Sequence, residues 1–145
     1  MPELPEVETI MRNLVRADAD KPSIIGQVIE SVQVYWAKTI QEPDVKSFTE
    51  TLPGMAIKGM QRRGKFLQFD LNEGHLLVHL RMSGDLYLVQ EDLQALPDPH
   101  DRLHIRFKSG WRLVFNDTRK FGRVWFVMDV QQVYAKLGPE PLDPE

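Results

Sequence analysis

From residue 55 to residue 128 the chain is nearly all short runs that alternate apolar and polar residues with a period of two, separated by turns and two longer non-periodic stretches, and this is the feature that most restricts the fold. Met55–Met60 and Phe66–Leu71 flank the tip QRRGK. After the turn NEG, Leu76, Val78, Leu80 and Met82 alternate with His75, Leu77, His79 and Arg81. Leu103, Ile105 and Phe107 alternate with His104, Arg106 and Lys108, and the turn SG leads into Trp111, Leu113 and Phe115; Val124, Phe126 and Met128 give the last strand. Such a period puts alternate side chains on opposite faces of a sheet, and tight turns between short runs join antiparallel neighbours. The expectation is a mainly β fold with flanking α: an antiparallel β-sandwich of about eight strands.

The first half supplies the helices. Leu4, Val7, Ile10, Met11, Leu14 and Val15 recur at three- and four-residue steps, which predicts an amphipathic N-terminal helix over residues 3–16, with Glu3, Glu6 and Glu8 at its positive end. After Lys21-Pro22, Val28, Glu30, Val32, Val34 and Trp36 read as one face of a strand, and Ile29, Ser31, Gln33 and Tyr35 as the other. Asp44 is placed to cap one further short helix through Val45, Phe48 and Leu52, ended by Pro53-Gly54. EDLQALPDPHD reads as a loop or a short helical turn. LGPEPLDPE, with three prolines, reads as a linker, which divides the chain into a domain over 1–136 and the start of a linker over 137–145.

At 145 residues, one domain with a real core is the default. The chain contains no cysteine, so thiolate metal sites are excluded and no metal site is expected. Nothing approaches a membrane-spanning run or a signal sequence, and a monomer in the cytoplasm, without a membrane partner, is the expectation. The net charge of −3 argues against a wholly nucleic-acid-binding surface but leaves room for a local basic face. Arg62, Arg63 and Lys65 fall on a hairpin tip; Arg119, Lys120 and Arg123 surround the non-periodic stretch DTRKFGR. Basic loops on a rigid sheet suit phosphate binding, though charged hairpin tips are more often only solvated turns.

Other candidates weaken on inspection. His75, His79 and His104 lie on strands without the spacing of a metal-binding helix pair and read as surface or packed side chains. The serine of RMSGD lacks a nucleophile elbow. Gly59, Gly64 and Gly84 do not form a phosphate-binding fingerprint. Pro2 is different in kind. Once the initiator methionine is removed it carries a free α-amine, whose ordinary pKa of about 7.7–8.0 leaves part of it neutral and nucleophilic near pH 7. Proline in a first helical turn is, however, common for conformational reasons alone.

Five stretches together shift that balance: MPELPEVET, RRGKFL, HLRMSG, NDTRKFG and LGPEPL, in this order. They resemble the N-terminal domain of bacterial formamidopyrimidine-DNA glycosylases, within the wider group that includes endonuclease VIII. The leucine of PELPE favours the formamidopyrimidine branch. The resemblance implies a base-excision-repair glycosylase and AP lyase that removes oxidised purines from double-stranded DNA, nucleoid-associated through that DNA. It implies Pro2 as the Schiff-base nucleophile, Glu3 as the acid that opens the deoxyribose ring, and Glu6 in the damaged-base pocket. It further implies Lys65 close to the lesion and its phosphates. Met82, Arg119 and Phe121 correspond to the side chains that fill the gap left by the flipped nucleotide; His100, Arg63 and Lys120 correspond to phosphate contacts.

No cofactor is implied in this chain, because the family's zinc site lies in a C-terminal finger that, with the helix-two-turn-helix domain, follows LGPEPL and is absent here. One wall of the DNA groove is then missing, and weak or no activity is expected of the chain alone. Two departures from the family pattern stand out: Arg81 occupies a position before the methionine where glycine or another residue is often found, and DTR replaces the commoner DPR or DVR. Retention of Met1 would convert the Pro2 nitrogen to an amide and block the chemistry. A module with the same fold that binds damaged DNA without chemistry is the alternative.

Overall fold

The computed structural model describes residues 4–92 and 94–137. Met1, Pro2 and Glu3 and most of the expected linker, residues 138–145, lie outside the described residues. In chain order, the elements are α1 (Leu4–Val15), β1 (Ile29–Val34), β2 (Ile40–Glu42), α2 (Val45–Thr51), β3 (Ile57–Arg63), β4 (Phe66–Leu71), β5 (His75–His79), β6 (Gly84–Gln90), β7 (Asp101–Phe107), β8 (Trp111–Asp117), β9 (Arg123–Val127) and α3 (Gln131–Tyr134). Among the described residues, the nine strands form two sheets, ordered β1-β7-β8-β6 and β2-β9-β5-β4-β3. The sandwich is mainly β, as expected. Its pairings are antiparallel except between β2 and β9, which run parallel.

The core lies between the sheets. Leu103, Ile105, Phe107, Leu113 and Phe115 from one meet Leu67, Phe69, Leu76, Val78, Val124 and Phe126 from the other. The helices close its open sides. α1 packs on β3 and β6, the edge strands on one side, and buries Val7 and Leu14 there; α2 packs on β1 and β2 at the opposite side and buries Phe48. Each exposed sheet edge of the sandwich is thereby covered. Asp44 caps α2 as the sequence suggests, its carboxylate accepting from Ser47 N at 2.7 Å. Burying a side chain the size of Phe48 or Leu52 is worth about 2 kcal/mol.

Three departures from strict alternation have physical causes. A bulge between Ile29 and Ser31 shifts the phase of β1, so Ile29 joins Val32 and Val34 on the core face, where unbroken alternation would have opposed them. The run from His75 is expected to continue through Met82, but β5 ends at His79 and the chain turns at residues 81–83. Leu77, on the expected polar face, is fully buried because α3, unforeseen in the sequence, lays Val133 and Tyr134 over Phe66, Leu77 and Val127.

Candidate nucleic-acid interface

Strand register gathers the candidate loops at one end of the sandwich. Phe66 on β4 pairs with His79 on β5, and His79 with Arg123 on β9, so these three residues form one row across the sheet. The β3–β4 turn with Lys65 precedes Phe66, the turn with Met82 follows His79, and the loop with Arg119, Lys120 and Phe121 precedes Arg123. In the other sheet, Gly84 pairs with Asp117, and Asp101 with Asn116. The His100 carbonyl accepts from Asp117 N at 2.9 Å, which brings His100 to the same end. Residues separated by up to 58 positions thus converge because their strands end together.

Two of these loops share an unusual backbone. Among the described residues, the non-glycine residues with positive φ are Arg81 (57°) and Lys120 (61°). Each directly precedes an apolar side chain held out of the core: Met82 is 44% exposed and Phe121 41%. Left-handed backbone costs a side chain of this type about 1 kcal/mol or more, and it concentrates at functional positions. At Arg81 this backbone is carried by a long charged side chain, where glycine would adopt it without strain. The Arg81 amide is partly compensated by donating to His79 Nδ1 at 3.1 Å.

The cations around these loops lie on aromatic rings. The Arg119 guanidinium lies 5.1 Å from the centre of the Phe121 ring, the Lys120 ammonium 4.1 Å from Trp36, and the Arg63 guanidinium 4.4 Å from Tyr134. Each contact orients a positive charge without neutralising it. His100 keeps a half-exposed ring 3.6 Å from Asp98, whose carboxyl is held below its ordinary range chiefly by the His100 backbone N–H.

α1 is tied to this end through Glu8. Its carboxylate accepts from Arg62 Nε at 2.8 Å, and Arg62 also donates to the Gly64 carbonyl, next to Lys65, at 2.9 Å. Further along α1, Ile10, Asn13 and Leu14 face Leu86–Leu88 of β6, which runs away from Gly84, so the N-terminal end of the helix is the end nearest the loops. Glu6 is exposed on the first turn; Pro2 and Glu3 lie outside the described residues. His79, read from sequence as packed or superficial, is largely buried. Burial, with Arg81 and Lys65 nearby, pushes its pKa from 6.5 down to about 4 and keeps the ring neutral.

Trp36 and Asp117 also belong to this end, through Lys120 and Gly122, though neither stands out as a candidate in the sequence. Nothing in the period of β1 marks Trp36 as a partner for Lys120. Asp117 is fully buried, and the signal that could have found it is an acid at a core-facing strand position, two residues beyond Phe115.

Known proteins with this architecture settle the family. Residues 1–124 match the profile described as formamidopyrimidine-DNA glycosylase N-terminal domain. The chain belongs to the formamidopyrimidine-DNA glycosylase family. It is 41% identical to the formamidopyrimidine-DNA glycosylase of Protochlamydia amoebophila, over 98% of this chain and 49% of that protein, and 42% identical to that of Geobacillus kaustophilus, over 99% and 52%. The chain spans about half the length of the curated relatives it matches. The crystal structure of Lactococcus lactis Fpg (MutM) with DNA containing FAPY-dG superposes with a TM-score of 0.78, at 33% identity, over 93% of this chain and 48% of that one. A complex of the same enzyme with DNA containing an abasic site gives 0.79. Among the described residues, no helix is long and apolar enough to cross a membrane, and no cluster of three or more His, Cys, Asp or Glu is arranged to hold a metal ion.

Proposed function

We propose that this domain carries the nucleophile and the duplex-opening side chains of a glycosylase/AP lyase acting on oxidised purines in double-stranded DNA. The observation that carries the reading is the convergence of two strained loops, bearing Met82, Arg119 and Phe121, beside the Lys65 turn and the N-terminal end of α1. In this reading the three side chains occupy the space a damaged nucleotide leaves when it is extruded. Phe121 wedges between bases, Met82 fills the gap, and Arg119 bonds the orphaned partner base, which together offset the few kcal/mol of lost stacking. Arg63, Lys120 and His100 supply phosphate contacts that position the duplex without reading its sequence.

The chemistry then rests on Pro2 with Glu3. The amine lone pair of Pro2 attacks C1′; the bond from C1′ to the base breaks, and its electron pair leaves with the base, which takes up a proton. The amine loses its proton, Glu3 protonates the ring oxygen, and the C1′–O4′ bond opens to leave a cationic iminium on Pro2. That cation acidifies C2′, whose proton is lost as the 3′ phosphate departs, and δ-elimination of the 5′ phosphate follows. Glu6 lies against the damaged base, and Lys65 holds the phosphate beside it. Zinc has no part in this domain, since the family's finger belongs to its C-terminal part.

Borohydride trapping on duplexes containing 8-oxoguanine or an abasic site tests the proposal. A covalent adduct that forms once Met1 is removed, and is lost when Met1 is retained, supports it; intact mass reports the state of Met1. Binding of damaged duplex by the Met1-free chain without an adduct would replace it with a recognition module that performs no chemistry.

A further inference from the structure

Resting on the proposed role of Met82, Arg119 and Phe121, we infer that Asp117 is a positioning residue that fastens their two loops into one unit. Its side chain is fully buried and faces the core end of both loops. One carboxylate oxygen accepts from the Ser83 hydroxyl and from Arg119 N at 3.2 Å; the other accepts from Gly122 N at 2.7 Å. The Arg119 amide is shared, donating also to Ser83 Oγ at 3.1 Å. Ser83 follows Met82 directly, so a single carboxylate and a single hydroxyl join the Met82 turn to both ends of the segment Arg119–Phe121. The main chain of Asp117 is held too: its carbonyl accepts from Arg102 Nε at 2.8 Å.

A second observation points the same way. Both loops close on the Phe115 ring, two residues before Asp117 on the core face of β8. A Cβ at Gly84 would stand 3.0 Å from that ring and 2.5 Å from the Leu80 carbonyl oxygen. One at Gly122 would run into the ring and stand 3.0 Å from Asp117 Oδ2. Glycine is required at both places by closeness of approach, and the same ring sets both distances. Arg81 and Lys120, each in left-handed backbone, sit just outside this clamp. The strain they carry is sustained by bonds on its inner side.

The consequence concerns how the duplex is entered. Side chains on independently moving loops would each lose freedom on insertion, at an entropic cost for every loop ordered. Fastened at Asp117, they present a preformed wedge, and preference for a gapped or abasic site over intact duplex depends on a bond remote from DNA.

Ser83→Ala in the full 145-residue chain tests this, because it removes the link while leaving the buried carboxylate with its two amide donors. Two readouts are needed. Without DNA, exchange of the Arg119 amide should quicken about tenfold, the factor commanded by one lost charge-assisted hydrogen bond, while amides of β5 and β7 hold their rates. With DNA, the preference for an abasic-site duplex over an undamaged one should fall severalfold, and the salt dependence of binding should stay as it was. Asp117→Asn should do the same more strongly.

Arg119→Ala separates the latch from the wedge. If it lowers the abasic preference but Ser83→Ala changes neither exchange nor preference, the latch is overturned and the wedge stands. If Arg119→Ala leaves the preference untouched, or the wild-type chain shows none, the wedge reading fails and the latch falls with it.

Discussion

Arg62 on β3 and Glu8 on α1, 54 residues apart, meet at 2.8 Å, and the pair is the bond that pins the start of the N-terminal helix to the Lys65 turn. The Arg62 hydrogen bond is the leading cause that holds the Glu8 carboxyl below its ordinary 4.5. A depressed carboxyl contributes stability above its unfolded pKa and loses it as pH falls through the folded one. Arg62→Met should therefore cost about 1 kcal/mol at pH 7, the scale of one partly exposed charged hydrogen bond. It should also flatten the loss of stability below pH 4.5. Urea unfolding of both chains at pH 7 and pH 3.5 checks the two effects together.

His79 titrates in the opposite sense. Its folded pKa of about 4 lies below the 6.5 of the unfolded chain, so between those values the unfolded state binds the extra proton and stability falls as pH is lowered. The full effect is about 3 kcal/mol at most, reached near pH 4. Protonation also removes the acceptor for the Arg81 amide, which holds the turn before Met82. His79→Gln should abolish this part of the pH dependence, and unfolding midpoints measured from pH 7 to pH 4 would show it.

The sandwich was partly legible in the sequence where alternation is regular: Phe66–Leu71 has the bounds of β4, while β7 begins two residues before Leu103, β8 runs two residues beyond Phe115, and β6, for all its unbroken ladder with β8, was not foreseen. The sandwich was illegible where the ladder itself is irregular. The bulge at Ile29–Ser31 moves Ile29 onto the buried face of Val32 and Val34, and no local composition marks it. β2, three residues long, owes its existence to β9, which is remote in sequence. The candidate loops were visible as breaks in the alternation, and the resemblance named their residues. What holds them in place was not visible, because Asp117, Trp36 and the Glu8–Arg62 pair depend on partners brought together by strand register.

Close packing at Gly122 makes a sharper demand than backbone freedom. Gly122→Ala would drive its Cβ into the Phe115 ring and to within 3.2 Å of the His79 carbonyl oxygen. Overpacking of this kind costs about 1–3 kcal/mol. By contrast, Gly110 has only its backbone at stake: φ is 91° and nothing lies within 4 Å of an added Cβ. Gly110→Ala should cost about 1 kcal/mol through strain alone. Thermal unfolding of both variants should place Gly122→Ala lower, with disturbed DNA preference confined to it.

Lys120 supports two opposed expectations, because its ammonium is already engaged 4.1 Å above Trp36. An exposed cation–π contact is worth about 0.5–1 kcal/mol, less than a phosphate contact gains by releasing a counterion at low salt. On approach of a duplex, the lysine should therefore turn from the ring to the backbone phosphate, a movement its flexible four-carbon stem permits. Lys120→Ala is expected to lower the salt slope of DNA binding by about one unit and to reduce affinity evenly across sequences. Trp36→Leu, which frees the ammonium beforehand, should leave that slope unchanged. An unaltered slope in Lys120→Ala would mean that the residue stays on Trp36 throughout and serves only to hold the Phe121 loop.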